Sequence, residues 1–151
     1  MPAQLDEQSV ICANSQFWEQ MLAMKLEHVP AAEMICVGHR HLLGSVELAG
    51  TWNGRIEVRI EEKLACTATA VMLMQPADTV AEVDMLDATR DIANMIAGGI
   101  KSSLPRPCTM TVPLSIVEVD GFCDQQRTEH TLTVGFRHAD GGLMVRVCGH
   151  E

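Results

Sequence analysis

The chain has 151 residues, of which 47% are hydrophobic and 21% charged, and its formal net charge is −9 at pH 7. A chain of this length removes about 70% of its unfolded surface from water, so we predict one folded domain over residues 1–151 and exclude a disordered protein. The negative charge repels a phosphate backbone and no basic cluster offsets it, so no nucleic-acid partner is expected.

Apolar runs and cysteine spacing indicate the compartment. The longest apolar runs, such as 65–74, are shorter than the ~20 residues that cross a bilayer, and Asp6 and Glu7 interrupt any export signal. The cysteines form no CxxC pair; they are Cys12, Cys36, Cys66, Cys108, Cys123 and Cys148. These features predict a cytoplasmic protein with reduced thiols and no membrane partner.

The first predicted element is an amphipathic helix over residues 14–26. Asn14 or Ser15 is a suitable N-cap, and Pro30 follows the end of the helix. The side chains expected to anchor this helix in the core are Phe17, Trp18, Met21, Met24 and Leu26. After the helix, an extended segment is predicted from 34 to 37.

Residues 42–61 predict a β-hairpin. Asn53 and Gly54 are the turn signal, which suits a tight reversal with positive φ. The second arm alternates between apolar and charged residues, so the two sets are expected on opposite faces. The apolar set is Ile56, Val58 and Ile60, and the charged set is Glu57, Arg59 and Glu61.

Two helices are predicted in the middle of the chain. Residues 61–74 begin with acids and continue with apolar side chains, and this helix is expected to end before Pro76. A longer helix is predicted from about 79 to 103, with Asp78 as its N-cap and two prolines after its end.

Strand signals dominate the rest of the chain. Residues 109–119 are rich in β-branched side chains, and residues 131–147 predict a second hairpin that turns at 140–142. The order of elements predicts an α+β fold, in which helices pack on an antiparallel sheet.

One face of the long helix carries polar side chains. At about 100° per residue, an apolar arc that includes Ile96 lies opposite a polar stripe. The stripe consists of Asp84, Asp87, Asp91, Asn94 and Lys101. A solvated helix face is the usual explanation. However, Asn94 is a poor helix former in mid-helix, because its side chain competes for backbone hydrogen bonds.

Two adjacent glycines also disfavour this helix, by about 1 kcal/mol each relative to alanine. Gly98 lies on the polar stripe, where a missing side chain would let the backbone of another protein approach. Alternatively, Gly98 and Gly99 allow the helix to pack closely against the sheet. The sequence leaves both explanations open.

Residues 87–104, DATRDIANMIAGGIKSSL, resemble the signature helix of the CheC/CheX/FliY phosphatases of bacterial chemotaxis, above all CheX-like domains. That family has an acid or serine, then glutamate four positions later, then asparagine after three more. Asp87, Asp91 and Asn94 take these positions here. Only Asn94, of three asparagines, has an acid three positions before it, which matches the single-site CheX type rather than the two-site CheC type.

The resemblance implies a phosphatase that hydrolyses the aspartyl phosphate of a CheY-like response regulator. Asn94 would orient the attacking water, and Asp91 would pair with a lysine of the regulator. Further contacts to the regulator would come from Asp84, Asp87, Gly98 and Lys101. Magnesium would lie in the partner's acidic pocket, with no cofactor or metal in this chain. The resemblance also implies a homodimer. The alternatives are a non-catalytic module that binds the regulator and a structural component of the flagellar switch.

Asp91 departs from the family pattern, which has glutamate at this position. Its side chain is one methylene shorter, which removes about 1.5 Å of reach. We therefore expect the ion pair with the regulator to be strained, water-bridged or absent, and the activity to be weakened or directed at a different regulator. Pro113 is a candidate for the proline with which the family enters a strand after the helix.

Two histidines are candidate metal ligands. His39 and His41 alternate at strand spacing, but no recognised zinc spacing surrounds them. Solvated or edge-strand histidines are therefore expected here. The sequence contains no nucleophile-elbow or P-loop motif.

Overall fold

The computed structural model describes residues 5–31, 40–119 and 130–150, and the predicted segment at 34–37 lies outside them. The described part contains three α-helices and seven β-strands. The helices are α1 (Glu7–Gln16), α2 (Glu62–Leu73) and α3 (Glu82–Lys101). The strands are β1 (Glu27–Val29), β2 (His41–Gly50), β3 (Gly54–Glu61), β4 (Cys108–Met110), β5 (Leu114–Glu118), β6 (Thr131–His138) and β7 (Gly141–Gly149).

All strand pairs in the sheet are antiparallel, in the order β1-β6-β7-β3-β2-β4. Strand β5 pairs with the first half of β2, whereas β4 pairs with its last three residues. Both short strands therefore lie at the same edge. The three helices contact this sheet, which confirms the predicted α+β class.

The first hairpin is confirmed, with β2 and β3 paired in register. The apolar side chains of β3 lie in the core beneath the helices, and the charged ones lie on the opposite face. The predicted turn is wrong in detail. Positive φ occurs at Gly50, whose N–H donates to Asn53 Oδ1 at 3.2 Å. Gly54 is required for space, because a Cβ there would lie 2.2 Å from the Trp52 ring.

The first helix begins earlier than predicted. Asp6, and neither Asn14 nor Ser15, is its N-cap, since the Asp6 carboxylate accepts from the Ser9 N–H at 2.8 Å. Asn14 is instead buried in mid-helix, where it accepts a hydrogen bond from the Trp18 indole N–H at 3.1 Å. A π-helical turn, Phe17–Met21, continues the helix. Phe17, Trp18 and Met24 are buried as predicted, whereas Met21 is exposed.

The middle helices are confirmed, with changed boundaries for the longer one. Residues Ala77–Thr79 form a 3₁₀ turn, so α3 begins only at Glu82. Asp84, and not Asp78, satisfies the first turn by accepting from the Ala81 N–H at 3.1 Å. No helix in the described part of the chain is long and apolar enough to span a bilayer.

The strands after α3 match the prediction in part. The expected strand over 109–119 is divided into β4 and β5, with Pro113 in the break, because proline cannot donate to the ladder. The second hairpin is confirmed as β6 and β7, and Gly141 supplies the positive φ of its turn.

Candidate functional site

Helix α3 crosses the sheet at very short range. A Cβ built on Gly44 of β2 would lie 2.8 Å from the Ala93 Cβ and 2.8 Å from the Thr89 carbonyl oxygen. The side chains on this face, including Ile92, Ile96 and Ile100, are buried. The apolar arc is therefore fixed to the sheet, which turns the opposite stripe of α3 outward.

The outward stripe presents one carboxylate and one amide with unused hydrogen-bonding capacity. Asp91 is exposed and Asn94 is half-buried, one helical turn further along. Neither side chain has a hydrogen bond or ion pair to any residue within 5–31, 40–119 and 130–150. An unsatisfied amide and acid on a rigid helix are available to a water molecule or to a binding partner.

The other two acids of the stripe are already engaged. Asp84 caps the start of α3, and Asp87 forms an ion pair with Arg90 three residues on. Arg90 also donates to the Ser115 hydroxyl of β5 at 3.0 Å, and this hydroxyl donates to the Leu86 carbonyl at 2.8 Å. Of the stripe acids, Asp91 alone keeps an unpaired carboxylate among the described residues.

Arg90 is a residue that the sequence reading missed. It lies one helical turn before Asn94, and it fastens the middle of α3 to β5 through Ser115. Its spacing of three residues from Asp87 is a recognised helix ion-pair spacing and could have indicated the pair. The contact with Ser115 depends on tertiary structure and carries no local signal.

The two glycines of α3 have different surroundings. A Cβ on Gly99 would lie 3.0 Å from the Ala13 Cβ of α1, so this glycine serves close packing, against a helix rather than the sheet. A Cβ on Gly98 would meet nothing within 4 Å. Packing therefore does not explain Gly98, and it leaves an open step in the outward stripe between Asn94 and Lys101.

A second polar cluster lies on the sheet face away from the helices. The prediction of a solvated or edge-strand His41 is wrong: the side chain is 1% exposed on an interior strand, with Nε2 2.7 Å from Glu118 Oε1. Arg59 donates to the same oxygen at 3.2 Å and also pairs with Glu57. This network joins β2, β3 and β5. His39 lies outside the described residues.

The described cysteines and acids give no sign of a metal or thiol centre. No group of three or more His, Cys, Asp or Glu side chains suited to a metal occurs in the described ranges. The four cysteines described there are unpaired thiols. Burial, together with the neighbouring Glu57 carboxylate, raises the pKa of the Cys148 thiol, which keeps it protonated and poorly nucleophilic.

Comparison with solved structures identifies the fold. The crystal structure of chemotaxis protein CheX from Vibrio vulnificus matches with a TM-score of 0.78 at 18% identity, over 99% of this chain and 100% of that chain. A CheC-like superfamily protein from Shewanella sp. PV-4 gives 0.76 at 16% identity over the whole of both chains. The CheX–CheY–BeF₃–Mg²⁺ complex from Borrelia burgdorferi gives 0.73 at 18% identity, over 95% and 97%.

Sequence comparison identifies the family. No curated protein sequence matches the chain at a significant level. Residues 42–137, however, match the family described as chemotaxis phosphatase CheX. The match covers more than half of the chain, including the β2–β3 hairpin, all of α3 and most of β6. The chain therefore belongs to the CheX family of chemotaxis phosphatases.

Proposed function

We propose that this protein hydrolyses the aspartyl phosphate of a CheY-like response regulator. One observation supports this above the others: the Asp91 carboxylate and the Asn94 amide project one turn apart from the outward stripe of α3, with no partner in the described part of the chain. The helix behind them is held by its buried face and by the contact with Gly44. Such a surface can be offered to another protein without rearrangement.

The reaction needs few catalytic groups from the phosphatase. An acyl phosphate is reactive, so catalysis consists mainly in placing a water in line with phosphorus. The Asn94 amide can accept from this water and donate to it while carrying no charge that repels the phosphoryl group. The water oxygen bonds to phosphorus as the bond from phosphorus to the aspartyl oxygen breaks. Both water protons leave with inorganic phosphate, and a free aspartate carboxylate remains.

Asp91 has the docking role in this proposal. Its exposed carboxylate can pair with a lysine of the regulator and so fix the distance between Asn94 and the phosphoryl group. The pairing of Asp87 with Arg90 reduces the negative charge that an incoming phosphoryl group meets. Magnesium would be held by the regulator, where it would neutralise negative charge on the phosphoryl group. The Borrelia burgdorferi complex contains CheY, BeF₃ and Mg²⁺ together.

We expect this protein to accelerate dephosphorylation in substoichiometric amounts. CheY-type receiver domains encoded in the same genome are phosphorylated with a small-molecule phosphodonor, the donor is removed, and the remaining phosphoprotein is followed with and without the protein. If each receiver loses its phosphate at the same rate with and without the protein, the proposal is contradicted. If the protein binds a receiver loaded with BeF₃ and Mg²⁺ but does not accelerate dephosphorylation, it is a non-catalytic binding module. The short side chain of Asp91 is the feature that favours this alternative.

Replacing Asp91 with glutamate is expected to preserve or raise the activity. The longer side chain restores about 1.5 Å of reach toward the regulator's lysine, and a misplacement of about 1 Å can cost on the order of 100-fold in rate. The decay assay gives the rate for Asp91→Glu beside that of Asp78→Glu, an exposed control in the 3₁₀ turn. A large loss confined to Asp91→Glu would contradict the docking role.

We further propose that the protein acts as a homodimer in the cytoplasm. The support for the homodimer is strand β5, which lies at the edge of the sheet and carries exposed aliphatic side chains on and beside it. Val112 is 80% exposed and Leu114 66%, and Ile116 and Val119 are also exposed. An edge with this composition is suited to cover by a second chain.

A further inference from the structure

A groove of about 600 Å³ lies beside the candidate site, between the last turn of α3, the loop that follows it and edge strand β4. This size is typical of sites that bind a small molecule or a protruding side chain. We call it the basic groove. Its principal lining residues are Gly98, Lys101, Leu104, Arg106, Cys108 and Met110.

Two cations at this groove have no acidic partner among the described residues. Lys101 is half-buried and Arg106 exposed, and neither forms an ion pair with any residue in the described ranges. By contrast, Arg40, Arg59 and Arg90 each pair with a carboxylate. In a chain with a net charge of −9, two cations without an ion-pair partner in residues 5–31, 40–119 and 130–150 are a local concentration of positive charge.

The hydroxyls in the groove are already committed. Ser102 donates to the Gly99 carbonyl at 2.6 Å and Thr109 to the Ala49 carbonyl at 3.2 Å. The end of α3 also presents the negative end of a helix dipole, which disfavours a small free anion. Long cationic side chains above a partly apolar floor instead fit acidic side chains that belong to a larger partner.

The groove is continuous with the stripe of α3. Gly98 contributes to both, and its open surroundings allow another chain to pass between them. Lys101 follows Asn94 by seven residues, which is about 10 Å along the helix axis at 1.5 Å per residue. The outward surface therefore changes from an acid at Asp91 to two cations within a span that one receiver domain can cover.

Resting on the proposed function, we infer that the basic groove receives an acidic segment of the receiver domain while Asp91 pairs with a cation of the same domain. The surface is then bipolar along α3, and it fixes the orientation of the regulator as well as its position. Asn94 and Lys101 are about 10 Å apart along α3. This arrangement therefore selects a regulator whose acidic residues lie about 10 Å from its phosphorylated aspartate.

Charge reversal tests this inference. Lys101→Glu combined with Arg106→Glu is expected to weaken binding of a BeF₃- and Mg²⁺-loaded CheY-type receiver by about tenfold at low salt, with a smaller effect at high salt. In the decay assay KM should rise while kcat stays unchanged. The control is Lys25→Glu combined with Arg137→Glu, which changes net charge equally at the opposite edge of the sheet. Equal weakening in both double variants would overturn the inference.

Gly98→Ala is the second test. A methyl group meets nothing within 4 Å, so the melting temperature should stay the same or rise, while binding weakens because the open step is filled. Unchanged binding in this variant and in the charge reversal would overturn the inference. If wild-type protein still accelerates decay in that case, the groove is excluded and the phosphatase proposal stands. If wild-type protein binds no receiver, both fail.

Discussion

Asn94→Ala is expected to lower the acceleration of receiver dephosphorylation by on the order of 100-fold, with little change in binding. The amide is the group on the outward stripe that can hold a water by accepting and donating at once. Alanine cannot place that water, although Asp91 still pairs with the regulator. The measurement combines the phosphoprotein decay rate with the affinity for the receiver loaded with BeF₃ and Mg²⁺.

Loss of fold does not account for this expected result. Asn94 has no side-chain partner in the described part of the chain, and alanine is the better helix former, so the melting temperature should be equal or higher. Gln8→Ala, which removes an exposed amide from α1, is the matched control and should keep full activity. Comparable rates for Asn94→Ala and wild-type protein would remove Asn94 from the mechanism.

Ile96→Ala is expected to destabilise the fold by about 2–5 kcal/mol. Ile96 is fully buried, with 0% exposure, on the face of α3 that packs against the sheet, so truncation loses buried area and leaves a cavity. The measurement is the free energy of unfolding from urea denaturation. Because this face holds the stripe outward, the variant tests what positions Asp91 and Asn94.

Val83→Ala is the control for this prediction. Val83 is also an aliphatic residue of α3, but it is 61% exposed in the first turn, so its truncation should change stability by less than about 0.5 kcal/mol. Similar small changes for both variants would mean that α3 is not anchored through its apolar arc. The outward orientation of the stripe would then need another cause.

The features of this fold that depend on periodicity could be predicted from the sequence. The two faces of α3 follow from a spacing of 3.6 residues, and the two faces of β3 follow from strict alternation. Burial of Ile56 and Ile96 is the physical cause of both patterns, and the structure has both residues in the core. The same helix carried the resemblance that led to the correct family.

Helix starts and turns were harder to predict, because several residues compete for the same local role. Asp6 has a serine three residues later that completes a capping box, and this pair outcompetes Asn14, which is buried against Trp18. In the first hairpin, the Asn53 side chain stabilises a longer turn by bonding to Gly50. These contacts span only three or four residues, so the sequence offered several local candidates for each role and did not rank them.

Only the part of the candidate site that lies along α3 was predicted from the sequence. Helical spacing placed Asp91 and Asn94 side by side, and the spacing of Asp87 and Arg90 is also that of an ion pair, although this signal was overlooked. The contact of Arg90 with Ser115 of β5 has no local signal in the sequence. The basic groove was missed because it forms where the end of α3 meets β4, whose pairing with β2 is a tertiary contact.

The contact at Gly44 limits how this helix could be transplanted. The Thr89 carbonyl oxygen and the Ala93 methyl group of α3 lie directly over Gly44. Neither can move away by changing a rotamer, so a residue with a Cβ at this position would have to displace the helix backbone. A scaffold engineered to carry the Asp91–Asn94 pair would therefore need a glycine in the strand beneath it. Copying the helix alone would tilt the grafted pair away from its target.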